Sequence, residues 1–201
     1  MKNIFSLSAL LIVIMLVSCK KENSESQKQN ALVGNWKFIF MHAITESTNQ
    51  YTDISTVFKT VTASDYTTTN NGGTLSITAE QMNGEGLTYS ISDTATALVY
   101  EDGVLTDSTS FPFDFDLAAT NSSSSYMLIG SDSIYFPGGG FISSPNLSGT
   151  QQNVAGGAKF SISSNLLTMV TIYNKDTTVN NSGITETINN SAIVTSMFQK
   201  Q

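Results

Sequence analysis

The chain has 201 residues, with 16 acidic against 9 basic side chains, a formal net charge of −7, one histidine, one cysteine and no arginine. An acidic protein without arginine is a poor partner for nucleic acid, whose phosphates are neutralised mainly by Lys and Arg. A single cysteine excludes an internal disulfide framework. One histidine with no spare cysteine leaves too few ligands for a zinc centre, which takes three or four.

The chain opens with Lys2 and an apolar run from Ile4 to Val17, interrupted only by Ser6 and Ser8. A membrane-spanning helix needs about 20 apolar residues, so this run is short for a span. It has the basic start and compact apolar core of a secretory signal. Directly after it, Leu16-Val17-Ser18-Cys19 resembles the lipobox of bacterial lipoproteins. That resemblance implies cleavage after residue 18, a diacylglyceryl group on Cys19 and attachment to a membrane through that lipid. Each buried methylene of an acyl chain contributes about 0.8 kcal/mol, and stable anchoring needs more than one chain or a basic patch. The region from Ala31 onward offers no such patch, with five lysines against 14 acidic residues.

Residues 20–30 contain no apolar side chain and read as a flexible tether spanning on the order of 20 Å. The position after the cysteine is Lys20. By resemblance to lipoproteins in which an aspartate there favours inner-membrane retention, the outer membrane is expected. The chain thus divides into a signal peptide (1–18), a lipidated cysteine with its tether (19–30) and one folded domain (31–201), long enough for a substantial core.

In chain order, that domain reads as strands. Thr, Val, Ile, Phe and Tyr favour them, and no convincing helical window occurs. Asn71-Gly72 and Asn83-Gly84 predict turns bracketing a strand over 74–81. Asp102-Gly103 predicts a tight hairpin between the strands 95–101 and 104–117. Within the second of these, Phe111, Phe113, Phe115 and Leu117 alternate with Pro112, Asp114 and Asp116, a core face opposite a solvent face. Further turns fall at Gly130-Ser131-Asp132 and Ser163-Ser164-Asn165, and a long final pair runs over 166–173 and 184–200. The count is about ten strands, in an all-β fold formed by a single antiparallel meander of 8 to 10 strands. A barrel is expected, with a β-sandwich as the alternative.

Leu32-Val33-Gly34-Asn35-Trp36-Lys37 resembles the Gly-x-Trp opening of lipocalin-like proteins, and Phe198-Gln199-Lys200 resembles the last strand of small bacterial members. The resemblance implies a barrel whose tryptophan closes the narrow end and whose open end takes a small apolar or amphipathic ligand. The chain departs from the pattern in having no arginine to stack on Trp36, which leaves that place to Lys200 or another lysine. Tyr51-Thr52-Asp53 also differs from the second lipocalin motif.

Catalysis is not expected. No Gly-x-Ser-x-Gly elbow occurs, and Gly138-Gly139-Gly140 lacks the Lys-Ser/Thr of a phosphate loop. Asp114 and Asp116, with Glu101, Asp102 and Asp107 near the adjoining turn, read as a solvated face more readily than as a calcium site. The candidate ligand contacts are Trp36, Phe38, Phe40 and His42, which share one parity along the first strand and are therefore expected to point into the barrel together. His42 reads more readily as a histidine near a strand end with its own hydrogen-bond partner than as a group reaching a ligand. No cofactor and no metal is expected. The long loop Pro137–Gly157, rich in Gly, Ser, Asn and Gln, is either a lid or disordered.

Overall fold

The computed structural model describes residues 30–140, 155–181 and 183–201. Cys19, the tether before residue 30 and the middle of the 137–157 loop lie outside them. Residues 30–32 are helical. Ten strands follow: β1 (Gly34–Asp53), β2 (Thr56–Thr67), β3 (Thr69–Ile77), β4 (Gln81–Glu101), β5 (Val104–Ser125), β6 (Met127–Ile129), β7 (Ser133–Phe136), β8 (Gly156–Ser163), β9 (Leu166–Asn181) and β10 (Ile184–Lys200).

All ten belong to one antiparallel sheet. The order is that of a meander. β2 and β3 act as one bent strand, each paired with β1 on one side and β4 on the other. Beyond β1 come β10, β9, β8, β7 and β6; beyond β4 comes β5. β5 and β6 are halves of one strand interrupted at Tyr126. The first half pairs with β4 and the second with β7, so the pairings run as a circuit that returns to its start. Tyr126 secures that junction: its amide donates to the Glu80 carbonyl at 2.9 Å and its hydroxyl to the Thr78 carbonyl at 2.7 Å. A row of paired, inward-facing residues shows the curl. It passes from Leu128 through Ile134, Ala158, Thr171, Val194 and Ala43 to Tyr66. The Tyr66 ring meets Phe113, which lies on the same strand as Leu128 but far above it. Such an offset is the stagger of tilted strands around a barrel.

The inner face buries one core cluster drawn from β1, β2, β3, β4, β7, β8, β9 and β10. Phe113, Phe115 and Leu117 of β5 pack on it while Asp114 and Asp116 face solvent, as their alternation predicts. The Asp102-Gly103 hairpin also forms as predicted, with both residues at positive φ (48° and 80°). So do the turns at 130–132 and 164–165 and the β9–β10 pair, whose first strand runs on to Asn181.

Two expected turns are not turns. Asn71-Gly72 lies within β3 and Asn83-Gly84 within β4, and the chain reverses instead at 78–81. There the Gln81 amide donates to Thr78 Oγ1 at 3.0 Å. The glycines serve close approach. A Cβ on Gly73 (φ +98°) would lie 2.6 Å from the Gly86 carbonyl oxygen, and one on Gly84 would meet the Leu87 side chain at 2.4 Å. Asn70 takes a positive φ of 52° just before, where the register of β3 against β4 shifts.

Opposite that irregularity, β1 carries a bulge. Phe38 pairs with Phe198 but Phe40 with Met197, leaving Ile39 without a partner of its own. A one-residue slip turns every later side chain to the other face. Trp36 and Phe38 point inward, and after the bulge Met41, Ala43 and Thr45 do. Thr68 bridges the break: its amide donates to the Met41 carbonyl at 2.9 Å and its Oγ1 accepts from the Met41 amide at 3.1 Å. Ile39 is the extra residue of the bulge, so deleting it should leave Phe38, Met41, Ala43 and Thr45 facing inward in regular alternation, and the variant is expected to keep a cooperative urea transition and its near-ultraviolet circular dichroism. A deletion variant that has lost its cooperative transition would refute this account of β1.

Candidate functional site

One end of the barrel is sealed by side chains far apart in sequence. Leu32 and Trp36 are fully buried, and the indole Nε1–H donates to the Leu32 carbonyl at 2.9 Å. Lys200, the cross-strand partner of Trp36, places Nζ 4.9 Å from the centre of the tryptophan ring. The same ammonium donates to the Ala31 carbonyl at 3.2 Å. The lysine therefore takes the place over the ring that the lack of arginine left open, holding the helical turn under the barrel by cation–π attraction and one hydrogen bond.

Above this floor, aromatic rings fill the interior. Phe38 lies 5.5 Å from Phe198 and 6.4 Å from Tyr89, which lies 6.0 Å from Phe115. Higher on the inner face the chemistry changes. Thr45 and Ser64 share a buried hydrogen bond of 2.7 Å, and Asn49 donates to the Glu186 carboxylate. Thr60, Ala97, Val99 and Asn190 on the same face are half-buried. The wall is also uneven. β1, β4, β5, β9 and β10 have 16 to 22 residues each, whereas β6, β7 and β8 have 3, 4 and 8. The filled end and the half-open end are thus opposite ends of one inner surface.

Of the four candidate contacts, the structure brings Trp36 and Phe38 together in the buried floor. Phe40 and His42 stand on the outer face, because the bulge at Ile39 reverses the parity that would have aimed them inward. His42 Nε2 lies 2.6 Å from Asp65 Oδ1, with the histidine side chain half-buried (34% exposed) and the aspartate largely exposed (68%). Tyr173 and Lys175 of β9 face the upper interior, continuing the inward parity of Leu167 and Met169. The alternation of β9 carried that signal, but the strand reads as ending at Tyr173. Asp114 and Asp116 are exposed on β5. Among the described residues, no group of three or more His, Cys, Asp or Glu is placed to hold a metal ion.

Burial pushes the Tyr89 hydroxyl well above the ordinary tyrosine range, and the neighbouring Tyr66 adds to the shift. Burial also raises Tyr126 and Tyr173. A neutral phenol whose folded pKa exceeds its unfolded value leaves stability intact below about pH 10 and erodes it as pH rises further.

The chain matches no protein-family model, no curated protein and no solved structure.

Two measurements check the site. In a spectrophotometric titration, Tyr89→Phe should remove a phenol that ionises only at the alkaline end, and wild-type stability should fall above about pH 10. Loss of an early-titrating phenol instead would contradict the burial of Tyr89. At the floor, Lys200→Met should cost about 1–2 kcal/mol in urea unfolding, with Lys200→Arg close to wild type. Equal losses in both variants would show that the contact with Trp36 contributes nothing.

Proposed function

We propose that this protein is a lipid-anchored lipoprotein of the bacterial envelope, attached through Cys19 to the outer membrane. Its lipocalin-like barrel takes a small apolar or amphipathic molecule at the half-open end. The anchor reading rests on Lys2, the short apolar run and Leu16-Val17-Ser18-Cys19. The binding reading rests on one observation: the inner surface is sealed at the Trp36–Lys200 floor and becomes half-exposed and polar at the other end. An amphipathic molecule suits such a gradient, with its apolar part toward Phe111 and Phe113 and its polar part among Thr60, Asn190 and Lys175. The reading assigns no catalytic residue and no cofactor.

A second reading has its own support. Trp36, Phe38, Tyr66, Tyr89 and Phe198 are all buried by at least 98%, so the lower interior is occupied by the chain itself. A barrel filled in this way also serves as a structural or surface-interaction domain with no small ligand.

Native mass spectrometry of protein purified from its own host distinguishes the two, because a reproducible added mass is expected only for a binder and a clean apo mass would reject the ligand. Fractionation tests the anchor. Cys19→Ala should leave the membrane fraction, and retention of that variant through detergent-free washing would overturn lipid attachment.

A further inference from the structure

Above the aromatic core, the inner face changes from rings to small polar side chains in a fixed register. Between β1 and β2 the pairs are Thr45–Ser64, Ser47–Thr62 and Asn49–Thr60, on the face that buries Met41 and Ala43. Aromatic side chains bound this ladder at both ends. Below it Tyr66, opposite Ala43, packs on Phe113 at 5.5 Å; above it Tyr51 and Phe58 are partners, stacked at 5.2 Å. From Ala43 to Tyr51 the strand covers on the order of 27 Å at about 3.4 Å per residue. The neighbouring strands add uncharged groups: Asn190 of β10 stands opposite Ser47, and Ala97 of β4 opposite Thr62. Charges begin at the rim, with Glu186 opposite Tyr51, Glu101 opposite Phe58 and Lys175 opposite Asn190.

Every member of the ladder is a hydroxyl or a side-chain amide, and each of these both donates and accepts hydrogen bonds. An alkyl chain laid over them would remove their water and return no hydrogen bond, a loss that offsets the gain from burial. A carboxylate head group only accepts, and the two rim glutamates repel it. Asn49 narrows the choice further. Its Nδ2 donates to Glu186, while its Oδ1 is buried with no hydrogen-bond partner. A ligand that completes this amide brings a donor, and one that serves the hydroxyl pairs also accepts, without needing a charge of its own. Sugar hydroxyls do both, and the C–H face of a sugar ring fits against the exposed ring of Tyr51.

We propose that the polar part of the ligand is a neutral saccharide, seated along β1 and β2 with its hydroxyls on the Ser47–Thr62 and Asn49–Thr60 pairs. This rests on the reading that the half-open end binds a small amphipathic molecule, and it names that molecule's head group. Thr45 and Ser64, already bonded to each other at 2.7 Å, form the lower limit of the seat.

Titration calorimetry on the chain carrying Cys19→Ala tests this, with dodecyl glucoside, dodecyl galactoside and dodecyl maltoside below their micelle concentrations, set against dodecanoate and dodecylamine. At least one glycoside should bind about tenfold or more tightly than either charged amphiphile. Ser47→Ala combined with Thr62→Val should weaken that glycoside about tenfold, with the urea midpoint and the affinity for dodecanoate unchanged. If the double variant loses its cooperative transition, Thr60→Val alone decides, with the same loss expected. Dodecanoate or dodecylamine binding as tightly as the best glycoside would overturn the saccharide and leave the binding reading standing. Undiminished glycoside affinity in the folded variant would overturn the seat, and no binding by any of these amphiphiles would reject the binding reading and the saccharide together.

Discussion

A single β-sheet has no second layer to bury its apolar side, so that side must close on itself, and the rest of the structure follows from how the closure is made. A continuous circuit of ladders would need β5 to pair along its whole length with β7. It is made instead by dividing one strand at Tyr126, so that β5 serves β4 and β6 serves β7. The short strands β6 and β7 suffice to complete the ring around the lower core. They leave the upper sheet of β5, β4, β2, β1, β10 and β9 without an equal wall opposite. The difference between a filled floor and a half-open top is therefore a consequence of where the closing strand is broken.

The floor shows what a lysine needs in order to sit over an indole ring. A guanidinium is planar and stacks broadly on an indole, whereas an ammonium is a compact charge that needs to be steered. Here the steering comes from the register. Trp36 and Lys200 are directly opposed, and the Ala31 carbonyl of the helical turn accepts from the same ammonium. The contact ties the start of the domain to its last strand across a sequence separation of more than 160 residues.

The parts of the fold legible in the sequence are those governed by local rules. Alternation of Phe111, Phe113 and Phe115 with Asp114 and Asp116 defines a face without reference to anything distant, and Asp102-Gly103 supplies the two positive-φ residues of a hairpin. The parts that were not legible depend on a neighbour. Asn71-Gly72 and Asn83-Gly84 have the same local signature as Asp102-Gly103, yet they sit inside strands. Gly84 there makes room for Leu87, and Gly73 beside Gly72 makes room for the backbone of Gly86. No local pattern separates a glycine that turns the chain from one that lets another segment approach. The bulge at Ile39 is of the same kind: Ile-Phe-Met-His looks like uninterrupted strand. Its one skipped pairing is what turns Phe40 and His42 outward, so that of the four candidate contacts Trp36 and Phe38 alone face the interior.

That slip also decides which later side chains of β1 face outward. Without the bulge, the parity of Trp36 and Phe38 would carry Ile44 into the core and Ala43 and Thr45 out to solvent. With it, Ile44 joins Ile193 and Ile172 on the outside, and the smaller Ala43 and Thr45 take the inner positions against Tyr66 and Ser64. The exchange sets the small Ala43 opposite Tyr66, whose ring already packs against Phe113 at 5.5 Å. The same event that puts Ala43 and Thr45 inside therefore leaves Ile44 exposed beside Ile193 on the outer face.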